Sequence, residues 1–529
     1  MEKKKIQVWL PLLFSITMIA GIFIGYKMRD EIPGKSFFYT EKRRPVQEVM
    51  ELIKNKYVDT VDLNMLADTA IQAILSKLDP HSVFIPAKDL DQVNEEIAGS
   101  FFGIGIEYNI FNDSLHVVNV LKEGPSFKAG ILTGDRILKA NNYTISGKKA
   151  PIDSIRSVLR GPRGSIADIT LLRGNRQMNI KVTRDIIPIS SVDAAYMADS
   201  ITGYIRLNKF TQHTYREFML SLESLKKQGL QKLIFDLRGN GGGVLDEAVE
   251  IADEFLEGDK LITYTIGRHS PRKEYRCRRT GQFEKGKLVI LADEGTASAS
   301  EIIIGALQDW DRATIVGRKT FGKGLVQDQF DLSDKSALRL TIARYYTPIG
   351  RSIQRSYANG GKAYYEEISH RFQIADSSKP DSPPVNNGKA YLTSSGKKVY
   401  SGGGISPDYF IPADTAFMNA ELTKIFLKGL TNDFGYQFYM ANRGISNEYK
   451  TPAQFANEFR ITGPSWKFFE SMAVKDSINL QGLNVKSRAY LERLLKASLA
   501  RQLWHNDGYF QSSNHEDETL LKAMEIIRK

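Results

Sequence analysis

The sequence predicts a multidomain α/β protein: a strand-and-helix core, a small β-rich domain ahead of it, and helical regions at both ends. Three observations lead there. The chain has 529 residues, more than one hydrophobic core usually supports, so several domains are expected. Its composition, 42% hydrophobic and 25% charged, is that of folded globular protein and not of a disordered chain. Finally, the spacing of apolar residues changes along the chain. It is helical at first, then that of short alternating strands, then of strands alternating with helices, then helical again.

Residues 1–30 read as a cytoplasmic tip and a signal-anchor helix. Lys3, Lys4 and Lys5 precede an apolar run from Ile6 to Tyr26, a length suited to a bilayer span of about 20 residues. The run exceeds a signal-peptide core and no A-x-A site follows, so an uncleaved N-terminal transmembrane helix is expected. The three lysines favour a cytoplasmic N-terminus, although Lys27 and Arg29 lie on the far side. The expected location is the inner (cytoplasmic) membrane, single-pass, with the catalytic part on the periplasmic or extracytoplasmic side.

Residues 36–97 read as helical, with Val49, Leu52, Ile53 and Tyr57 at helical spacing and a turn at Asp79-Pro80-His81. His81 fits a turn or helix cap, since nothing nearby supplies a second metal ligand. Residues 98–185 change to short strands, around His116 to Val120 and Ala167 to Arg173, with one helix near Ile152 to Leu159. The segment Phe101-Phe102-Gly103-Ile104-Gly105-Ile106 opens this region, and Gly134-Asp135-Arg136-Ile137-Leu138 follows downstream. Together these resemble a PDZ domain. A Gly-flanked loop ahead of a strand can present backbone N–H groups to a peptide carboxylate, and the peptide then adds to the sheet edge. Phe101, Phe102, Gly103, Ile104, Gly105 and Ile106 are the expected peptide-binding residues.

In residues 186–412 strands alternate with helices. Lys232 to Leu237 is a buried-strand run, Val244 to Leu256 an amphipathic helix, and Lys287 to Ala292 a strand followed by a helix through Leu307. Residues 377–388, with Pro380, Pro383 and Pro384, read as an exposed insertion loop. Residues 413–529 return to helical spacing, as in Leu491, Leu494, Leu495 and Leu499. They read as a helical C-terminal domain with no chemistry of its own.

Net charge is +11, from 72 Lys+Arg against 61 Asp+Glu, a mild excess for this length. Its densest patch, Arg268 to Arg279, reads as a solvated surface loop, and no nucleic-acid fold signature accompanies it. A single cysteine, Cys277, rules out an internal disulfide framework and a Cys-based zinc cluster. Its cationic neighbours would lower its pKa, but no motif surrounds it and it reads as an incidental thiol. No metal site is expected.

Three segments of the core carry the chemistry. Asp236-Leu237-Arg238-Gly239-Asn240-Gly241-Gly242-Gly243 joins a strand to a helix, so its amides lie at a helix N-terminus. No G-x-x-x-x-G-K-[ST] pattern is present, which counts against nucleotide binding. An oxyanion hole fits better, with one amide from about Gly242. Gly295-Thr296-Ala297-Ser298-Ala299-Ser300-Glu301 also follows a strand. Taken alone, Ser298 with Glu301 fits a capping box better than a nucleophile. Yet a strand-to-helix turn is also where hydrolases expose a serine, with the next amide, Ala299, helping to bind the oxyanion. Thr320-Phe321-Gly322-Lys323-Gly324-Leu325-Val326-Gln327 sets a lysine between glycines among apolar residues. Burial can depress a lysine from about 10.4 toward about 7 to 8, making it a base. None of the seven histidines belongs to these segments, and Ser-Lys is a variant of the triad logic. Gln327 is placed to orient the lysine.

These segments, in this order and with the PDZ-like domain ahead of them, resemble the carboxyl-terminal processing (tail-specific) proteases of the S41 peptidase family. Ala343-Arg344-Tyr345-Tyr346-Thr347-Pro348 and Gly402-Gly403-Gly404-Ile405-Ser406-Pro407-Asp408 match as well, and the similarity covers roughly residues 45 to 412. The resemblance implies a core similar to the crotonase and Clp protease superfamily. It makes Ser298 the nucleophile, Lys323 the base and Gln327 the residue that positions it, with the amides of Ala299 and Gly242 as oxyanion hole. It implies a serine endopeptidase without cofactor that captures apolar C-termini of proteins through the PDZ domain, cleaves through an acyl-enzyme, and leaves room for an adaptor protein. Thr296 replaces a serine common in the family. Two other classes compete: a catalytically silent PDZ-containing scaffold of the same fold, and a His-dependent chymotrypsin-like PDZ protease. A scaffold has no need of Ser298, Lys323 and Gln327 together, and the placed His and Asp of the second are missing from the sequence.

Overall fold

The protein is described by a computed structural model covering residues 3–28, 45–147, 150–375, 388–414 and 417–529. It forms two compact units, Met1–Ile71 and Gln72–Lys529. In the first, helix α1 (Lys3–Met28) contains the stretch Trp9–Lys27, with mean hydropathy 1.8 and none of it buried. By length and composition it is the one described helix able to cross a membrane. Helices α2 (Pro45–Lys56) and α3 (Leu63–Leu75) follow.

The second unit begins with β1 (Val83–Ile85) and α4 (Ala87–Ala98); β1 breaks the continuous helical reading of this stretch. Strand β2 (Ser100–Gly103) then leads into a small antiparallel domain. Its elements are β3 (Ile106–Phe111), β4 (Ser114–Val120), α5 (Pro125–Lys128), β5 (Arg136–Ala140), β6 (Tyr143–Thr144), α6 (Ile152–Leu159), β7 (Ile166–Arg173) and β8 (Arg176–Thr183). The sheet runs β3-β4-β5-β7-β8 with β6 beside β5, which leaves β3 as a free edge. Alternate residues point inward: Leu115 and Val117, Ala167, Ile169 and Leu171 close the core against Ile155 and Leu159 of α6. The chain leaves along β9 (Asp185–Pro188), antiparallel to β2 with Gly103 opposite Asp185 and Ser100 opposite Pro188. Entry and exit are thus one two-stranded ribbon.

The core continues with β10 (Val192–Met197), β11 (Thr202–Leu207), α7 (Thr214–Lys227), β12 (Lys232–Asp236), α8 (Leu245–Asp253), β13 (Leu261–Ile266), β14 (Lys273–Arg276), β15 (Leu288–Ala292), α9 (Ala299–Asp309) and β16 (Thr314–Gly317). Then come β17 (Leu325–Asp331), β18 (Ala337–Tyr346), α10 (Gly360–Ala375), β19 (Ala390–Leu392), β20 (Lys398–Tyr400) and β21 (Tyr409–Phe410). The main sheet runs β10-β11-β12-β15-β16-β21 and is parallel except for β10. Parallel strands need both faces covered. One face packs Leu233, Phe235, Leu288 and Ile290 against Phe218 and Leu222 of α7 and Ile303 and Leu307 of α9. A second sheet, β1-β18-β13-β14 with β17 on β18, lies beside it in sequence order and is antiparallel.

The C-terminal helices are α11 (Ala420–Leu427), α12 (Leu430–Ala441), α13 (Ile445–Glu448), α14 (Pro452–Glu458), α15 (Gly463–Lys475), α16 (Val485–Asn514) and α17 (Glu518–Arg528). Helix α16 bends at Trp504 and His505, where the backbone is not helical. Phe434, Phe469, Leu491 and Leu495 form a core of this region's own. Helix α17 does something different: its stripe Leu520, Ala523, Met524 and Ile527 covers Tyr204, Ile234, Val289, Leu291 and Val316. The last helix of the chain therefore supplies the second cover of the protease-like sheet.

Two sequence expectations are corrected. Arg268 to Arg279 is not merely a loop: it contains β14, and Arg279 reaches Glu250 at 2.6 Å and Glu254 at 3.1 Å. Cys277 is buried, and burial next to Asp253 pushes its thiol up to about 12, the opposite of the expected lowering. The predicted loop 377–388 lies outside the described residues apart from Gly388.

Candidate active site

Beyond the carboxyl end of β15 the chain turns into α9, and Ser298 occupies the corner with φ +57° and ψ −115°. A positive φ at a residue with a side chain costs about 1–3 kcal/mol and persists only where the surroundings enforce it. Here Asp293 Oδ1 accepts from the N–H groups of Gly239 and Gly295 at 2.8 and 3.0 Å, and the Thr296 hydroxyl donates to the Leu237 carbonyl at 2.9 Å. Ser298 and Glu301 are the capping-box pair the sequence predicts. The Ser298 N–H donates to Glu301 Oε2 at 2.9 Å, whereas the Ser298 hydroxyl makes no cap hydrogen bond. The carboxylate does the capping, which leaves the hydroxyl for other work.

Glu301 does more than cap. Its Oε1 accepts from the Thr320 hydroxyl at 2.5 Å and the Gly322 N–H at 2.8 Å, and its Oε2 also accepts from the Lys323 N–H at 2.9 Å. One buried carboxylate thus ties the serine turn to the lysine loop. Burial raises its pKa to about 7, against the lowering effect of those hydrogen bonds. Sequence reasoning assigned Glu301 only to a cap, because its partners on the lysine loop are distant in sequence.

Lys323 lies at the head of β17, and its ammonium donates to Gln327 Oε1 at 2.9 Å. A bulge between Val326 and Gln327 in the pairing with β18 accompanies this placement. The Gln327 amide nitrogen donates in turn to the carbonyl of His81. Burial, reinforced by the positive charge of Arg339, lowers the Lys323 pKa from its ordinary value. The Tyr345 hydroxyl sits 3.0 Å from the Ser298 carbonyl and 2.5 Å from the Lys323 carbonyl, with one proton for the two acceptors. His81 was read as a turn residue, and the turn is real: Asp79 accepts from the His81 and Ser82 N–H groups, both at 2.8 Å. Its ring Nε2 lies 2.9 Å from the Tyr364 hydroxyl, and burial together with the Lys323 charge pushes it down to about 4. The ring is therefore neutral at pH 7, and His81 meets Gln327 through its carbonyl.

Gly242, in the loop after β12, has φ +94°. A Cβ there would fall 2.7 Å from the Ala297 carbonyl oxygen and 2.8 Å from both the Ala299 nitrogen and Ser298 Cβ. Only glycine admits this approach. Its N–H, however, donates to Asn240 Oδ1 at 2.9 Å. Asn240 also accepts on its carbonyl from the Ala297 N–H at 2.9 Å and the Ser300 hydroxyl at 3.0 Å, so it fixes the glycine loop to the start of α9. Asp236, at the root of that loop, is held well below the usual carboxylate range by Arg238 and Arg206. Arg238 also reaches Asp517, the N-cap of α17, at 2.9 Å.

Ser298, Ala299, Gly242, Lys323 and Gln327 all line one cleft of about 460 Å³ with apolar walls from Phe210, Leu245, Ile302 and Leu325. Among the described residues no hydrogen bond joins Ser298 to Lys323. Val93, Glu96 and Ile97 of α4 form another part of the wall.

A second, smaller groove lies on the β-rich domain. Phe101, Gly103, Ile104, Gly105 and Ile106 line it as expected, but Phe102 does not: strand alternation on β2 turns it away, and it is 43% exposed. The groove is completed by Tyr108 and by Arg156, Leu159 and Arg160 at the end of α6, which a loop-centred reading does not find. Arg160 stacks over Phe101 at 4.2 Å and reaches Glu95 of α4 at 2.6 Å. Helix α4 therefore touches both the groove and the cleft.

Comparison with known proteins matches this arrangement to one class of enzyme. Peptidase family S41 matches residues 201–360, the PDZ domain residues 103–183, and the N-terminal domain of the activating protease CtpB residues 28–89. Residues 422–506 match a family of unknown function. The chain is 34% identical over 349 residues to a carboxy-terminal-processing protease of Bartonella bacilliformis, covering 64% of this chain and 80% of that protein. It is 33% identical over 343 residues to a probable CtpA-like serine protease of Staphylococcus epidermidis, covering 64% and 68%. Among solved structures, the photosystem II D1 C-terminal processing protease is 29% identical, covers 59% of this chain and 84% of that one, and has a TM-score of 0.34. The chain belongs to the S41 peptidase family of C-terminal processing serine proteases, and it carries a PDZ domain.

Proposed function

We propose that Ser298 attacks the peptide carbonyl and that Lys323, as a neutral amine, takes its proton. The observation that carries this reading is the setting of Lys323. The amine is desolvated in the cleft that Ser298 lines, and its hydrogen bond goes to a neutral amide, Gln327 Oε1 at 2.9 Å, and not to a carboxylate. A lysine so placed gains little from its charge and is poised to lose its proton. Gln327, itself anchored on the His81 carbonyl, aims the amine. The acyl-enzyme forms on Ser298 Oγ as the amine of the leaving peptide takes the proton back, and water assisted by Lys323 releases it. The oxyanion is held by the Ala299 N–H at the first turn of α9 and by the Gly242 N–H, which must leave Asn240 Oδ1 to serve.

Substrates are proteins with free apolar C-termini, and their tails dock as a strand along β3 with the carboxylate at the Gly103–Ile106 loop. Arg160, shared between this groove and Glu95 of α4, supports the idea that tail docking is felt at the cleft. Helix α1 anchors the enzyme in the cytoplasmic membrane, with Lys3, Lys4 and Lys5 inside and the protease outside, where extracytoplasmic proteins are its targets and an adaptor can reach it.

The test compares wild type with Ser298→Ala and Lys323→Ala on a protein ending in an apolar tail. Both variants should lose turnover by about 100-fold or more. Wild-type rates in either variant would refute the Ser-Lys assignment, and equal cleavage of a substrate with an amidated C-terminus would refute tail capture.

A further inference from the structure

The helical region that matches a family of unknown function meets the PDZ domain on one strand. Residues Glu107, Asn109 and Phe111 of β3 alternate with Ile106 and Tyr108, which line the peptide groove. The ring of Phe111 stacks on Tyr436 of α12, with centroids 5.4 Å apart and planes 4° from parallel. The Asn109 amide donates to Asp433 Oδ1 at 3.2 Å, and the Tyr436 hydroxyl lies 3.4 Å from His116 Nδ1 on β4. Arg501 of α16 is 3.4 Å from Glu107. The free edge strand that would receive a peptide is therefore held from its other face.

The two ends of this helical region differ in strength. Toward the protease core it is fixed by the apolar stripe of α17 and by Asp507 and Asn506 on β10, at 3.1 Å from the Ala195 N–H and Asp193 respectively. Toward the PDZ domain the contacts are one ring stack, two long hydrogen bonds and one exposed ion pair, each worth about 1 kcal/mol or less. Burial of Asp433 with only an amide as partner raises its pKa to about 6, an added cost of keeping this joint closed. Apart from the joint and the Arg160–Glu95 pair, the PDZ domain hangs on the β2·β9 ribbon.

We propose that the C-terminal helical domain is a bracket on the protease that latches the PDZ domain through α12, and that a peptide strand adding to β3 opens the latch. The proposal rests on the reading that peptide tails dock along β3. The pairing of β3 with β4 shifts register between Glu107 and Tyr108, where the groove face and the latch face meet. A bulge bends and twists its strand. A peptide pairing along Ile106 to Tyr108 favours a straighter edge, which moves Glu107 and Asn109 off their partners. The coupling is reciprocal, so breaking the latch tightens peptide binding and locking it weakens binding.

The experiment uses the full chain in detergent micelles, with Ser298→Ala to prevent turnover. The probe is a short fluorescein-labelled peptide with an apolar C-terminal residue and a free carboxylate, read by anisotropy. Tyr436→Ala is expected to bind it about fivefold more tightly or better. A second protein, Asn109→Cys with Asp433→Cys joined by a short bis-maleimide, is expected to bind more weakly than its unjoined form; buried Cys277 stays out of the reaction. If Tyr436→Ala fails to fold, the joined pair decides. Equal affinity in all forms overturns the latch and leaves tail docking standing. A peptide that binds none of them overturns tail docking and the latch with it.

Discussion

Lys323 and Glu301 face each other across one loop with opposite problems. Lys323 is a cation that burial and Arg339 discourage, so its neutral form grows as pH rises through a value below the ordinary 10.5. On the proposed mechanism kcat/KM therefore climbs with pH along a limb lying below that value. Lys323→Arg, whose guanidinium keeps its proton, should lose about 100-fold or more in kcat/KM at every pH where wild type is active. Glu301 is an anion that burial discourages, with its pKa moved up from 4.5 to about 7. The folded state then binds this proton more tightly than the unfolded chain. The resulting stabilisation is complete below about 4.5 and is lost as pH rises through about 7. Glu301→Gln removes the titration, so the melting-temperature difference, wild type minus variant, should shrink between those pH values. In the variant at least one backbone N–H faces an amide NH₂ whichever way the amide turns, at a cost of about 1–3 kcal/mol. Its kcat should fall more than its KM changes, because both reacting groups hang on the same carboxylate.

At the scale of elements, the strand-to-helix turns of the core were legible and the way they interlock was not. The buried run Lys232–Leu237 and the capping signal at Ser298 and Glu301 placed β12 and the start of α9 within a residue. What the sequence could not carry is that Glu301 serves two loops, that Asn240 occupies the Gly242 amide, or that His81 lends a carbonyl to Gln327. Each of these partners is brought in by tertiary packing from far along the chain. Phe102 failed for a simpler reason: a strand alternates its faces, and a reading of six consecutive residues as one site ignores that. Glycine 242 gives the sharpest element-level test. Gly242→Ala must place a methyl group against the serine turn and hold φ +94°. It should cost at least about 1–3 kcal/mol of stability in denaturant melts and remove peptidase activity without removing PDZ peptide binding.

For the whole molecule, the C-terminal region is the part that sequence reasoning treated as an appendix. Its last helix covers Tyr204, Ile234, Val289, Leu291 and Val316, so truncation before Asp517 should yield insoluble or partly unfolded protein and not an active core. Solubility and near-UV circular dichroism of the truncated chain check this. At the other end the expectation is reversed. Removing residues 1–28 takes away an apolar helix with no buried side chain. The shortened protein should move from the membrane fraction to the soluble fraction with its turnover of a peptide substrate intact.

The ribbon formed by β2 and β9 has one more consequence, for how such a chain is built. Because Gly103 lies opposite Asp185, the PDZ domain is a parenthesis: the chain opens it and closes it at the same place on the protease. Domains whose ends lie side by side can be inserted into another fold, and exchanged, without disturbing the host. Seen from the rest of the molecule, the whole domain is a loop. Closing a longer loop costs little extra entropy, so the host can complete its own sheet whether or not the insert has folded. Recognition of the tail and the chemistry of cutting are thus separable units of assembly, joined at one pair of strands.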